Sequence, residues 1–162
     1  MTKRIFSLIL LIAIAAALVS CSDEAKFGHA ELVLPLGDDY HKSETDDGGY
    51  DKVYTNGKRI VALARISFEA LGMAEFMTPY EFGSFWLDKY EREAELITSD
   101  GGTAYATYYD GYGDSEVFYL EAFVRTPHSY FVILCATPVS DRDDAKEYFL
   151  DLIDRVYIKN KG

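Results

Sequence analysis

The sequence predicts an α+β fold, with six strands and two helices in the order β-β-β-α-β-β-β-α. The strands form a mainly antiparallel sheet, and the helices lie against it. Three observations carry this reading. Asn56-Gly57 sits between two strand-like runs, the strongest short hairpin signal a sequence offers. The later strands are joined by short polar turns, which pairs sequence neighbours antiparallel. Two further segments carry apolar residues at helical spacing, and only a sheet is large enough to bury them. The length of 162 residues suits one domain, and an aromatic content of 15% excludes a disordered tail.

The elements follow in order. Residues 30–34 are a short apolar run ended by Pro35, as at a sheet edge. An acidic, glycine-containing stretch follows over 37–49. Runs 50–55 and 59–68 are the arms of the Asn56-Gly57 hairpin. In the second arm Ile60, Ala62, Ala64 and Ile66 alternate with Val61, Leu63, Arg65 and Ser67, so the strand is covered on both faces at its start. Thr78-Pro79-Tyr80-Glu81 opens a helix over 79–96: Thr78 accepts from first-turn amides, Pro79 presets φ, and Glu81 completes a capping box. Phe82, Trp86, Tyr90 and Ala94 form its apolar stripe, and Ser99-Asp100-Gly101-Gly102 stops it. Strands at 103–109, 117–126 and 130–137 come next, joined by a polar loop at 110–115 and a turn at 126–129. Ser140 is expected to cap a last helix, with Asp141, Asp143 and Asp144 at its positive end. Its stripe is Ala145, Phe149, Leu152, Ile153 and Val156.

Ahead of this body, residues 1–20 read as an export signal. Lys3 and Arg4 form a positive start, and residues 5–19 a nearly continuous apolar run, shorter than the roughly 20 residues that span a bilayer. Leu18-Val19-Ser20-Cys21 resembles the lipobox of bacterial lipoproteins. The resemblance implies a diacylglyceryl thioether on Cys21 and cleavage between Ser20 and Cys21. The alternative is an ordinary signal peptide, or an N-terminal membrane helix, with Cys21 incidental. Two or three acyl chains anchor a protein stably, since each buried CH₂ contributes roughly 0.8 kcal/mol. The expected organisation is a cleaved lipoprotein signal at 1–20, a lipidated N-terminus and short polar tether at 21–29, and one domain at 30–160. The expected location is the cell envelope, on the extracytoplasmic side of a membrane.

Charge limits the partners. The whole chain carries −11; removal of residues 1–20 takes away Lys3 and Arg4 and no acid, leaving 14 bases, 27 acids and −13. A nucleic-acid partner is excluded, because a phosphate backbone needs a basic stripe. The membrane is then held through the lipid, with anionic head groups repelling the body as a whole.

The opening Leu32-Val33-Leu34-Pro35-Leu36-Gly37, the Thr-Pro-x-Glu helix start at Thr78 and the tyrosine-rich fourth strand are similar to the PsbP-like superfamily. The strand Phe131-Val132-Ile133-Leu134-Cys135 before the last helix adds to the likeness. It covers the mature chain as a pattern of elements and implies a six-stranded antiparallel sheet sandwiched between helices. Superfamily members include photosystem accessory proteins, a nuclear-transport factor and bacterial lipoproteins, so it implies no single function.

The sequence carries few marks of catalytic or ligand-binding chemistry. With Cys21 holding lipid, Cys135 is left without a disulfide partner, and its apolar strand marks it as a packed thiol. His29, His41 and His128 are scattered, and no P-loop, GxGxxG, GxSxG or HExxH motif occurs. No catalytic residue, cofactor or metal ligand is therefore assigned. Asp38, Asp39, Glu44, Asp46, Asp47 and Asp51 offer hard oxygen ligands, but their spacing does not match an EF-hand and a solvated loop is the simpler reading; Asp110 and Asp114 raise the same question. On the fourth strand Thr103, Tyr105, Thr107 and Tyr109 share one face and Ala104, Ala106 and Tyr108 the other, with Tyr112 and Tyr119 nearby. Exposed tyrosines would suit a glycan or a protein partner, whereas a covered sheet face is the plainer reading. Trp86 is expected in the core. The functional expectation is a non-enzymatic binding or accessory domain with a protein partner in the envelope. A ligand-binding module for a cation or glycan is the alternative.

Overall fold

The computed structural model describes residues 24–26, 32–43, 49–72, 77–111 and 116–159. The export signal, the lipobox with Ser20 and Cys21, His29, Glu44, Asp46, Asp47, Tyr112 and Asp114 all lie outside them. The elements are β1 (Glu24–Lys26), β2 (Leu32–Pro35), β3 (His41–Lys42), β4 (Lys52–Thr55), β5 (Ile60–Ser67), α1 (Phe68–Leu71), α2 (Pro79–Lys89), β6 (Leu96–Thr98), β7 (Ala104–Asp110), β8 (Val117–Arg125), β9 (Ser129–Pro138), α3 (Arg142–Asp154) and β10 (Tyr157–Ile158).

Seven strands form the main sheet in the order β3-β4-β5-β9-β8-β7-β6, every neighbouring pair antiparallel. The α+β class and the antiparallel sheet are as the sequence predicts. The strand inventory differs from six. The extra members of the main sheet, β3 and β6, are two and three residues long, too short to show a period of 2. The first predicted strand, here β2, belongs instead to a separate sheet, β1-β2-β10. Residues 24–26, which read as polar tether, form its first strand, with Lys26 opposite Val33.

The hairpin at Asn56-Gly57 forms as expected. Asn56 Oδ1 accepts from the amides of Lys58 and Arg59 at 3.1 and 2.8 Å, and Gly57 takes a φ of 83°, which a side chain would resist. The capping box of α2 is also present: Glu81 N–H donates to Thr78 Oγ1 at 3.2 Å, and the Thr78 N–H donates to Glu81 Oε2 at 2.8 Å.

Two helix boundaries depart from the sequence reading. Helix α2 ends at Lys89, not near residue 96: Tyr90 is the cap, Glu91 adopts φ 53°, and the Arg92 amide folds back onto the Leu87 carbonyl at 2.9 Å. Residues 96–98 then join the sheet edge. Ser140 does not cap the last helix; it lies in a 3₁₀ turn, Val139–Asp141, and α3 starts at Arg142 with Asp141 at its N-cap making no side-chain capping bond.

The main sheet has a layer on each face. Ala145, Phe149, Leu152 and Ile153 of α3 pack with Leu32 and Leu34 of β2 onto Val61, Leu63, Leu120, Phe131, Ile133 and Cys135. On the other face Phe82, Trp86 and Leu87 of α2 pack onto Ala104, Ala106, Phe123, Tyr130 and Val132. Gly83 lets α2 approach closely, since a Cβ there would lie 2.6 Å from the Phe123 ring.

Candidate functional site: a buried carboxylate beneath helix α2

Strand β8 runs Val117-Phe118-Tyr119-Leu120-Glu121-Ala122-Phe123-Val124, with an acid in the middle of an apolar run. Glu121 shares the face of Phe123, under α2, and is 0% exposed. An ionised carboxylate there requires paired charge and hydrogen bonds, and three side chains supply them. Trp86 on α2 donates its Nε1–H to Oε1 at 3.0 Å. Arg92, just past the end of α2, donates Nη1–H to Oε2 at 2.6 Å. Tyr108 on β7 donates its hydroxyl to Oε2 at 3.3 Å and accepts from Arg92 Nη1. Ala106 and Leu134 flank Glu121 on the neighbouring strands.

Aromatic rings enclose the cation. The Arg92 guanidinium carbon is 4.9 Å from the Tyr108 centroid and 5.7 Å from that of Tyr90, and only 17% of the side chain is exposed. Tyr108 stacks on Tyr119 at 5.1 Å, and Trp86 leans on Tyr90 at 4.6 Å.

The electrostatics follow from burial. Desolvation pushes the Glu121 carboxyl above its ordinary range, and Arg92 with the three hydrogen bonds only partly pulls it back. Burial, the largest single influence, would lower Arg92, but Glu121, Tyr108 and Tyr50 together outweigh it and the guanidinium is held above its usual value. Desolvation, then the Glu121 charge, raises the Tyr108 and Tyr50 hydroxyls. Desolvation together with Asp110 pushes Tyr119 up to about 12.

Chemically this is a closed set. Both carboxylate oxygens accept from neighbours, so the group ties the end of α2, β7 and β8 together. Sequence reasoning placed Trp86 in the core, where it lies, but missed its bond to Glu121. The signal was present: one acid at period-2 register with Tyr119 and Phe123. Nothing in Glu91-Arg92-Glu93 marks Arg92, since its partner is remote in the chain.

The other candidates disperse. Cys135 is buried, and desolvation raises its thiol far above the ordinary range. Asp39 Oδ2 accepts from Asn56 Nδ2 at 2.8 Å, and Asp51 Oδ2 accepts from the Arg65 amide at 2.7 Å. Among the described residues no three His, Cys, Asp or Glu side chains gather as metal ligands. His41 lies on β3 and His128 in the turn before β9. The tyrosine strand divides: Tyr105 packs on the α3 side, Tyr108 joins the Glu121 set, and Tyr109 is 49% exposed.

No family model and no curated protein sequence matches the chain. Solved structures do. The solution structure of cyanobacterial PsbP (CyanoP) from Synechocystis sp. PCC 6803 superposes with a TM-score of 0.56 at 14% identity, covering 90% of this chain and 96% of that one. A crystal structure from Bacteroides thetaiotaomicron VPI-5482 gives 0.58 at 11% identity over 88% of this chain, which spans 50% of that protein's length. A mutant of the protein Mog1 gives 0.52 at 12% identity, with 86% and 96% covered. At these identities the likeness shows the fold, and the chain folds as a PsbP-like domain.

Proposed function

We propose that this chain is a lipid-anchored lipoprotein of the bacterial cell envelope, whose PsbP-like domain serves as a non-catalytic binding or accessory module for a protein partner there. The observation that carries the reading is Leu18-Val19-Ser20-Cys21 at the end of a short apolar signal, three residues before β1. The thiol is the one side-chain group able to hold the lipid as a thioether, and the sequence places it at the threshold of the fold. A non-catalytic role is supported by how the interior chemistry is used: Glu121 and Arg92 bond one another, and Cys135 is walled off from solvent.

Metabolic labelling with a palmitate analogue in wild type and Cys21→Ala tests the anchor. Label is expected in the first and absent from the second; equal labelling overturns the reading. A cation at the acidic loop, or a glycan on exposed tyrosines, is the competing role. Asp39 and Asp51 already accept hydrogen bonds, and Tyr105 and Tyr108 are committed to the interior, which weakens it. Heat released on titration with Ca²⁺ or cell-wall fragments would restore it.

A further inference from the structure

We propose that the small sheet β1-β2-β10 faces the bilayer, with Tyr157, Ile158 and Lys159 resting in its headgroup layer. The proposal builds on the lipid anchor at Cys21. Two residues, Ser22 and Asp23, lie between Cys21 and Glu24, the first residue of β1, so three steps of the chain reach at most about 10 Å. The sheet is therefore the part of the domain tied nearest to the lipid. Strand β10 is its far strand: Tyr157 stands opposite Val33 and Ile158 opposite Leu32, while Glu24 stands opposite Pro35. Tyr157 thus lies about 10 Å across and about 7 Å along the sheet from Glu24, about 12 Å in all, a distance similar to the reach of the anchor.

The chemistry at that position suits a lipid surface. Tyr157 is 45% and Ile158 39% exposed, though apolar side chains elsewhere on this sheet, Leu32, Val33 and Leu34, are 0% exposed. Tyrosine favours the membrane–water interface, where its ring is shielded and its hydroxyl hydrated. Residues 156–161 hold Lys159 and Lys161 and no acid, in a chain of net −11, while the preceding Arg155 pairs with Asp151 at 2.9 Å. The acidic body as a whole is repelled by anionic headgroups, so this basic segment turns one side towards them. The lipid supplies the affinity, and the β10 end supplies the orientation.

The test uses the mature lipidated protein in vesicles of phosphatidylglycerol, phosphatidylethanolamine and a brominated quencher lipid. With the Cys21 thiol held in a thioether and Cys135 0% exposed, an added surface cysteine is the one site open to a thiol-reactive dye. Ile158→Cys reports on the proposed face. Ser84→Cys, exposed on α2 across the main sheet, is the control at roughly 20 Å greater depth through the layers. The expected result is quenching at position 158 about twofold or more above that at 84, since interfacial groups sit about 5–10 Å into the headgroup and acyl boundary. Equal quenching at the two positions overturns the orientation, leaves the anchor standing and frees this edge for a protein partner. Dye uptake by the unsubstituted protein shows that Cys21 is a free thiol, and overturns both the anchor and the orientation.

Discussion

Replacing Arg92 by methionine removes the cation and keeps most of its aliphatic length, so the lost packing is small. What remains is Glu121, 0% exposed, with Trp86 and Tyr108 as its donors. Unit charges about 4 Å apart attract by about 4 kcal/mol at an effective dielectric near 20, and removing one partner of a buried pair costs about 3–5 kcal/mol. Arg92→Met is therefore expected to destabilise the fold by about 3–5 kcal/mol at neutral pH. Glu121→Gln should cost less, about 1 kcal/mol, because the amide oxygen still accepts from Trp86 and burial already makes the ionised form expensive. The double variant should fall near Glu121→Gln alone, giving a coupling of about 3–5 kcal/mol, because the Arg92→Met penalty then disappears. The pH dependence has a definite sign. Glu121 has its folded pKa above the unfolded value, so its contribution is fully present below the unfolded pKa and is lost as pH rises through the folded one. Without Arg92 the folded pKa climbs further, so the penalty of Arg92→Met should shrink as the medium is acidified towards the ordinary carboxylate pKa. Urea denaturation of the four proteins at neutral and mildly acidic pH measures all of this. A penalty for Arg92→Met that is below about 1 kcal/mol, or that does not fall on acidification, or strict additivity in the double variant, would refute the reasoning.

Three further outcomes are expected. Thr78→Ala removes the α2 capping box and should cost about 1–2 kcal/mol, read as a lower urea midpoint at unchanged m-value. Gly83→Ala improves helix propensity by about 1 kcal/mol but drives a Cβ to 2.6 Å from the buried Phe123 ring, so thermal unfolding should show a net loss of about 1–2 kcal/mol. Cys135 should resist a thiol reagent in the folded protein and react when urea unfolds it; fast reaction under native conditions would contradict its burial.

The fold was legible where local chemistry and tertiary packing agree. Asn56-Gly57 specifies its own turn, Thr78 and Glu81 specify their own cap, and the α3 stripe at Ala145, Phe149, Leu152 and Ile153 is buried as its spacing requires. It was illegible where a remote partner decides. Tyr90 and Ala94 continue the α2 period in sequence, yet the chain turns at Glu91, Arg92 reaches Glu121, and Leu96–Thr98 adds to the edge of the sheet. Likewise Glu24-Ala25-Lys26 shows no strand pattern and becomes a strand because β2 offers it an edge. Of the site, Trp86 could be read as core, and Glu121 could have been flagged as an acid among apolar neighbours. Arg92 had no local mark at all.

The pairing of β5 with β9 sets when the main sheet can close. Ile60 meets Ala136 and Ser67 meets Ser129, residues 62 to 76 positions apart in the chain. Closing so long a loop delays the pairing, and contacts of that range slow folding. Under the export proposed above, N-terminus first, the β4–β5 hairpin would cross the membrane well before β9 follows. During that interval Ile60–Ser67 presents an open apolar edge. Ile60–Ser67 is then the stretch that would need shielding until β9 arrives to cover it.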